Sequence, residues 1–457
     1  MTDLYDNPTE LSDVLDNQRV LDVRVAVEHA DVESLHGLLD PLHPADVADL
    51  LEQISDGTRG RLLELWKGQI DGEVLSELDD SIREDIINRL NTSELANAVR
   101  HLETDDVVDL VQDLDQIQQK VILEALEDAE RVVVEQSLSY PENSAGRLMQ
   151  REVVMAPEHW NVGQAIDYLR RQQELPEQFY HIILIDPRMR PTGYVPIGKL
   201  LGAKRAVPLK EVTEHSFRTI PFDQSEGDVA YAFNQYHLIS APVVDSDDRL
   251  IGVITIDDAM IVQDEEHEED IMRLAGVGEG SLSDRVAATT KRRLPWLVVN
   301  LCTAIIASLV ISIFEATIAQ VVALAVLMPI VASMGGNAGT QSLTVAVRAI
   351  ATKDLTTSNV WRVIRREVLV GLGNGIIFAA VLWFVGFFWF GSPMIAWVLA
   401  LAMVLNMVVA GLAGTAVPVL LEKIGVDPAL AAGAFVTTVT DVVGFFAFLG
   451  LAAWVLV

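Results

Sequence analysis

Asp441 is the only ionisable side chain in the apolar stretch from Pro428 to Val457. A carboxylate at membrane depth is costly unless it faces water, an ion or a charged partner, so it marks a candidate functional site. Three threonines just before it, at positions 437, 438 and 440, add hydroxyl oxygens to the same region. Hard cations bind oxygen ligands of this kind. The pattern therefore predicts a cation pathway through this part of the chain.

A second polar cluster, residues 335–342 with the sequence GGNAGTQS, interrupts another apolar stretch. Isolated glycines in membrane helices usually allow close helix packing. A run of glycines is expected to loosen the helix and free backbone carbonyls, which is tolerated at membrane depth only beside water or protein. We expect these carbonyls and the Asn337 amide to hold the water shell of a hard cation, while Asp441 supplies the charge.

Five apolar segments must position these two clusters. A spanning helix needs about 20 apolar residues, which predicts helices near 294–313, 319–346, 367–390, 393–421 and 428–456, with Pro393 and Pro428 at helix starts. Basic residues precede the first helix and lie between the second and third and between the fourth and fifth. This alternation predicts a multi-pass plasma (inner) membrane protein with cytoplasmic N-terminal domains and an outside C-terminus.

The charge of the chain is concentrated in its first 290 residues, which hold 59 of the 65 acids and 24 of the 33 Lys and Arg. Such a surface excludes nucleic acid as a partner. Two explanations stay open: general acidity, as in a salt-adapted host, or carboxylates placed at divalent-cation sites. The single Cys302 rules out a disulfide framework and fits a reducing cytoplasm.

The soluble region changes its periodicity near Pro141. After an acidic tail at 1–20, residues 21–140 have apolar positions three and four apart, which predicts a stack of short helical pairs. Two units of about 60 residues follow, each with strand, helix, strand and strand patterns. These units resemble tandem CBS modules, placed at 141–204 and 205–262. An acidic linker helix at 263–290 then precedes the transmembrane domain, 291–457.

A nucleotide is one candidate ligand of the second module. Its strand ends in Thr255, followed three residues later by Asp258, a pair that can bind a ribose. In the first module Lys199 stands where an acidic ribose ligand is expected, which argues against ATP binding there. ATP is thus a doubtful cofactor, and Asp258 could serve cation sensing instead.

Taken in order, the whole chain after its tail resembles the MgtE family of magnesium channels and transporters. Three motifs carry the resemblance: P-x5-GGNxGxQ at 329–341, GVDPAL at 425–430 and TxxDxxG at 438–444. The resemblance implies a multidomain membrane protein with an all-α superhelical N domain, tandem α/β CBS modules and a five-helix α transmembrane domain. It also implies a homodimeric, Mg²⁺-selective channel that moves Mg²⁺ into the cytoplasm.

The same resemblance implies site residues. The pore, lined by the second and fifth membrane helices, would use Asp441, Asn337, Gly336 and the carbonyl of Thr437. The linker would act as a plug helix that closes the pore when Mg²⁺ bridges its acids to the N domain and to the membrane domain. The matching regulatory positions are Asp258, Glu266, Glu269, Asp270 and Asp427, with Asp105 and Asp109 on the N domain. Alternatively, the linker acids form only a solvated helix face.

Two other functions remain open on the sequence. A transporter for Mn²⁺ or Co²⁺ would share these features, because ligand type does not separate small divalent cations cleanly. A non-conducting sensor, in which the membrane part only anchors the CBS modules, would give no reason for Asp441. An enzyme is not expected, because the nine histidines are dispersed and no nucleophile–base arrangement or complete phosphate loop is evident.

Overall fold

The computed structural model describes residues 17–100, 102–112, 114, 116–172, 175–176, 179–214, 217–277 and 286–456. Most of the predicted acidic tail therefore lies outside the described residues, as do positions 278–285 of the predicted linker. The chain divides into two compact units, Met1–Asp264 and Glu265–Val457. Each unit is built around its own buried apolar clusters.

Short helices form the N domain of the first unit. Many begin at a residue whose side chain caps the helix, as Asn91 does with Glu94 in a reciprocal capping box. Their apolar faces share one core, which includes Leu50, Leu62 and Leu110. The helices are α1 Asn17–His29, α2 Val32–Leu39, α3 Pro44–Gln53, α4 Asp56–Leu65, α5 Gly72–Ser76, α6 Asp80–Arg89, α7 Thr92–Val99, α8 Thr104–Gln112, α9 Gln116–Ala125 and α10 Asp128–Leu138.

Two modules of the same topology follow in this unit. In each, the first strand runs parallel to the second, and the second pairs antiparallel with the third. The first module contains α11 Ala145–Leu148, β1 Met155–Pro157, α12 Val162–Leu169, β2 His181–Ile185, β3 Pro191–Pro196 and α13 Ile197–Gly202. The second contains α14 Leu209–Val212, β4 Ile220–Pro221, α15 Glu226–Tyr236, β5 Ser240–Val244 and β6 Leu250–Thr255.

The acidic helix α16, Ile256–Leu274, follows β6 directly. It begins in the first unit and ends in the second. Asp257 and Asp258 occupy its first turn, where the helix dipole favours acids, and Arg273 lies in its last turn. Leu274 packs against the apolar cluster that contains Leu343 and Leu421 in the membrane region.

Among the described residues, five helices are long and apolar enough to cross a membrane. The helices of this region are α17 Val286–Ile313, α18 Glu315–Gln320, α19 Ala323–Ala351, α20 Val360–Phe390, α21 Pro393–Lys423 and α22 Pro428–Leu456. The short helix α18 begins in the predicted first connection and ends at Gln320, so the second span begins at Ala323 rather than at residue 319. Helix α20 begins at Val360 rather than at Glu367, because hydropathy marks the apolar core of a membrane helix and not its ends.

The predicted interruption of the second span is wrong, because α19 is a continuous helix through residues 335–342. Its glycines are used for close packing. A methyl group on Gly335 would lie 2.1 Å from the Nδ2 atom of Asn406, and one on Gly339 would lie 2.7 Å from a methyl carbon of Val436. Tertiary packing against α21 and α22 therefore holds the helix in spite of its low intrinsic propensity.

Candidate functional site

Asp441 lies in the middle of α22 and is partly exposed. Within the described chain, no hydrogen bond or ion pair engages its carboxylate. Thr437, one turn earlier, is also partly exposed, and its hydroxyl donates to the carbonyl of Gly433 at 2.8 Å. The carbonyl of Thr437 in turn accepts a hydrogen bond from the Thr440 hydroxyl at 3.0 Å. This face of α22 thus presents oxygens from a helix whose backbone remains intact.

One face of α19 is polar although the helix is long enough to span a membrane. Asn337, Thr340, Gln341 and Thr344 follow the helical spacing of three and four residues, and all four are exposed. Gly336 borders this face, and a methyl group there would meet no atom within 4 Å. Its carbonyl accepts a hydrogen bond from Thr340 at 3.0 Å. The Gly336 carbonyl, which was predicted to be freed from the helix, therefore accepts a hydroxyl hydrogen bond on an open face.

In the first unit, two helix N-termini bring carboxylates together. Asp105 and Asp106 lie in the first turn of α8, and Asp257 and Asp258 in the first turn of α16. Burial raises the pKa of Asp105 well above its usual range, and the nearby charge of Asp258 raises it further. Asp105 and Asp258, two of the predicted regulatory residues, thus lie close enough for their charges to interact.

Other acids crowd the same place. Burial raises the pKa of Asp106 to about 6, helped by the charge of Glu103, and raises that of Asp258 to about 7, helped by Asp257. Burial also raises the pKa of Glu103. Like charges held together out of water oppose ionisation, so this group, here named the N-domain acidic contact, favours a proton or a cation.

The nucleotide candidates lie at the edge of this contact. The hydroxyl of Thr255 donates to Oδ2 of Asp258 at 2.6 Å, so the two side chains bond each other. Lys199, the unexpected residue of the first module, pairs with Glu214. Asp258 therefore belongs to the acidic contact as well as to the predicted ribose-binding pair.

In the second unit, the loop between α21 and α22 carries a further predicted regulatory acid, Asp427. Gly425, at a φ of +75°, follows the end of α21, and Asp427 caps α22 by accepting from the backbone N–H of Ala429 at 2.8 Å. Arg273 of α16 joins Glu269 and Asp427, with N···O distances of 2.8 and 3.2 Å. Burial, followed by the charge of Asp427, raises the pKa of Asp270. Three predicted regulatory acids thus meet around one guanidinium.

Asp109 and Glu266, the remaining predicted regulatory residues, lie outside the two acidic groups. Asp109 pairs with Arg83 of its own domain, 3.3 Å away, and its charge reaches Asp106. Glu266 is exposed on α16. Among the described residues, no three His, Cys, Asp or Glu side chains are arranged as a metal site. A cation that keeps most of its water, as Mg²⁺ does, needs fewer direct ligands.

Several residues escaped the sequence reasoning. Glu103 and Asp106 belong to the N-domain acidic contact, and Arg273 pairs with Glu269. The available signals were the positions of Glu103 just before α8, of Asp106 in its first turn and of Arg273 four residues after Glu269. Glu367, predicted at a helix start, is buried and accepts a hydrogen bond from Ser342 at 3.0 Å. Asn406 is fully buried in α21 and is the only amide side chain of that helix.

An α-helical membrane unit with a polar helix face and one acid in the middle of α22, joined to further domains with crowded carboxylates, fits one class of protein: membrane transporters of cations with additional domains outside the membrane. The comparisons with known proteins agree. The family described as MgtE, divalent cation transporter, matches residues 328–451. The MgtE intracellular N domain matches 42–143, and the CBS domain matches 209–265.

Full-length relatives match over nearly the whole chain. The magnesium transporter MgtE of Thermus thermophilus is 32% identical over 445 residues, covering 96% of this chain and 98% of the relative. That of Bacillus subtilis is 28% identical over 440 residues, covering 95% and 97%. The chain therefore belongs to the MgtE family.

A solved structure matches the soluble part. The crystal structure of the cytosolic domain of the Mg²⁺ channel MgtE in complex with ATP is 26% identical, with a TM-score of 0.50. The match covers 53% of this chain and 99% of that chain. The family and the fold class expected from the sequence are thus confirmed: a helical N domain, CBS modules and five apolar membrane helices.

Proposed function

We propose that this protein is a homodimeric, Mg²⁺-selective channel that moves Mg²⁺ into the cytoplasm and closes when cytoplasmic Mg²⁺ is high. The observation that carries the proposal is the position of Asp441. It is a partly exposed carboxylate, with no protein partner among the described residues, on a membrane helix that has no other ionisable side chain. Such a residue is costly unless an ion path gives it water or a cation.

The proposed pathway runs between the polar faces of α19 and α22. Mg²⁺ dehydrates reluctantly and requires octahedral oxygen geometry, so it is selected best while it keeps several waters. Asp441 would supply the negative charge, and the Asn337 amide with the carbonyls of Gly336 and Thr437 would orient those waters. The open space beside Gly336 supports this role.

A second copy of the chain would complete the pathway. Asn337 and Gln341 are exposed amides on a helix at membrane depth, which lipid cannot hydrogen-bond. A two-fold arrangement would cover these faces and place two Asp441 carboxylates around one path. The inside-negative membrane potential would then draw the divalent cation toward the cytoplasm.

Two groups of acids support closure by Mg²⁺. The N-domain acidic contact and the group of Glu269, Asp270 and Asp427 both hold carboxylates close together. A cation that bridges them binds only the arrangement in which they are close, so it shifts the population toward that arrangement. Asp109 and Glu266 are proposed as outer ligands. ATP remains a candidate for Thr255 and Asp258 and would compete with a cation for Asp258.

Flux into proteoliposomes tests the function directly. Purified full-length protein is reconstituted, and uptake of Mg²⁺, Mn²⁺ and Co²⁺ is followed with ion-sensitive dyes. We expect Mg²⁺ uptake that exceeds uptake of the other two ions. Preferred uptake of Mn²⁺ or Co²⁺ would assign the pathway to another cation. No uptake of any ion by folded protein would favour a non-conducting sensor.

A further inference from the structure

We propose that Asn406 is a positioning residue for ion selectivity: its buried amide fixes the spacing between α19 and α22. The inference rests on the proposed function, because these helices carry the proposed pathway. Asn406 lies on neither polar face. It is 0% exposed, in α21, behind the residues assigned to the ion.

The amide contacts both pathway helices at glycines. Its Nδ2 atom donates to the carbonyl of Val331 in α19 at 2.8 Å. A methyl group on Gly335 of α19 would lie 2.1 Å from that nitrogen, and one on Gly444 of α22 would lie 2.8 Å from it. The amide therefore fills a slot that only two glycines, one from each helix, leave open.

Packing alone does not explain an amide at this position. The Oδ1 atom is buried and has no hydrogen-bond partner in the described chain. A leucine, which has the same branched shape, would occupy the slot without an unsatisfied acceptor, whose burial is unfavourable. What the amide adds is a directional bond to the α19 backbone, and polar side chains of this kind link helices in membranes.

The slot lies next to the proposed ion ligands in both helices. Gly335 immediately precedes Gly336, and Gly444 follows Asp441 by three residues, less than one helical turn. A shift of either helix against Asn406 would therefore move ligands of α19 relative to the carboxylate of α22. Because an octahedral water shell tolerates little displacement, selectivity for Mg²⁺ is the property most sensitive to such a shift.

The test compares Mg²⁺ and Mn²⁺ uptake by proteoliposomes containing wild type or Asn406→Leu. We expect the leucine variant to fold with an unchanged thermal midpoint, while its ratio of Mg²⁺ to Mn²⁺ flux falls about threefold, the effect of losing one interhelical hydrogen bond. A loss of folded protein alone would lower both fluxes equally and leave the ratio unchanged. An unchanged ratio would overturn the inference.

A second variant separates positioning from packing. Asn406→Ala combined with Gly335→Ala refills the slot with a methyl group but has no amide. We expect a thermal midpoint near that of wild type and a ratio that stays low. A ratio restored together with the packing would show that Asn406 is only a spacer and would overturn the inference.

The matched control is Thr415→Val. Thr415 is also fully buried in α21, but its hydroxyl bonds within its own helix, to the carbonyl of Gly411 at 2.6 Å. The ratio of Mg²⁺ to Mn²⁺ flux in Thr415→Val should equal that of wild type. A fall as large as that in Asn406→Leu would refute a specific role of Asn406. A wild type without Mg²⁺ uptake would refute the proposed function and this inference with it. A selective wild type with an equally selective leucine variant would refute this inference alone.

Discussion

The proposed ion pathway and the N-domain acidic contact use carboxylates in opposite ways. On α22 of the membrane unit, Asp441 is the single acid, and it is partly exposed. In the soluble unit, Asp105, Asp106 and Asp258 are crowded and buried, and their pKa values are raised. A single carboxylate beside a water-filled path attracts a hydrated ion without holding it. Several crowded carboxylates repel one another, and a bound cation stabilises their close arrangement. Conduction and sensing should therefore be separable by mutation.

The largest effect is expected from Asp441→Asn. The amide keeps the shape of the side chain and removes its charge, so Mg²⁺ flux should fall about tenfold or more, while the protein stays folded. Flux into proteoliposomes checks the first part and the thermal midpoint the second. Protection of α16 from protease by Mg²⁺ should be unchanged, because Asp441 has no part in sensing. Wild-type flux in the variant would contradict the assignment of Asp441 to the ion pathway.

The next effect should come from the linker. Changing Glu266, Glu269 and Asp270 to Gln, Gln and Asn removes three charges that Mg²⁺ would bridge in the closed state. The cation then has less preference for that state, so the Mg²⁺ concentration for half-closure should rise about tenfold. Flux at graded cytoplasmic Mg²⁺ measures this.

A matched triple variant controls for general acidity. Glu28, Asp49 and Glu84 are exposed acids of the N-domain helices. Their replacement by Gln, Asn and Gln should leave the Mg²⁺ concentration for half-closure at its wild-type value. If both triple variants close like the wild type, the linker acids form only a solvated helix face.

A smaller effect is expected from Arg273→Gln. The guanidinium bridges Glu269 and Asp427 without a divalent cation, and it thereby holds the end of α16 to the start of α22. Its loss should raise flux at low Mg²⁺ a few-fold, as partly exposed ion pairs contribute modestly. High Mg²⁺ should still close the variant. Arg61→Gln, an exposed arginine of the N domain, is the control, and equal flux in the two variants would exclude this role.

The smallest effect is a dependence on pH in the absence of divalent cations. The pKa values of Asp106 and Asp258, about 6 and about 7, are raised in the folded state, so that state binds protons more tightly than the unfolded one. The stability of the contact is therefore greatest at low pH and is lost as pH rises through these values.

Hydrogen exchange of α8 in full-length protein checks this dependence. With a chelator present, protection (the intrinsic exchange rate at each pH divided by the observed rate) should be lower at pH 8 than at pH 5.5, and Mg²⁺ should remove most of the difference. Asp105→Asn combined with Asp258→Asn should flatten the dependence. Equal protection at both pH values in the wild type would contradict it.

The sequence predicted the parts of this account that depend on local pattern. Apolar length marked five spanning helices, and the alternating strands marked two modules of one topology. Asp105 and Asp258 were named as regulatory residues only through the resemblance, and their proximity was not predicted, because residues so far apart in the chain carry no spacing signal.

Residues that act through tertiary contacts could not be predicted. The glycines of α19 suggested a broken helix, but Gly335 and Gly339 pack against α21 and α22 and the helix is continuous. Asn406 has significance only through the slot between two other helices. Its one sequence signal, an isolated amide in an apolar helix, does not say what it contacts.

The separation of the ion pathway from the Mg²⁺ sensor is tested by Mg²⁺ flux measured against cytoplasmic Mg²⁺ concentration, for wild type, Asp441→Asn and the linker triple variant. We expect a wild type that conducts and closes, an Asp441→Asn variant that conducts little at any concentration, and a triple variant that conducts fully but closes only at much higher Mg²⁺. Normal conduction without Asp441, or normal closure without the three linker acids, would contradict the separation of pathway from sensor.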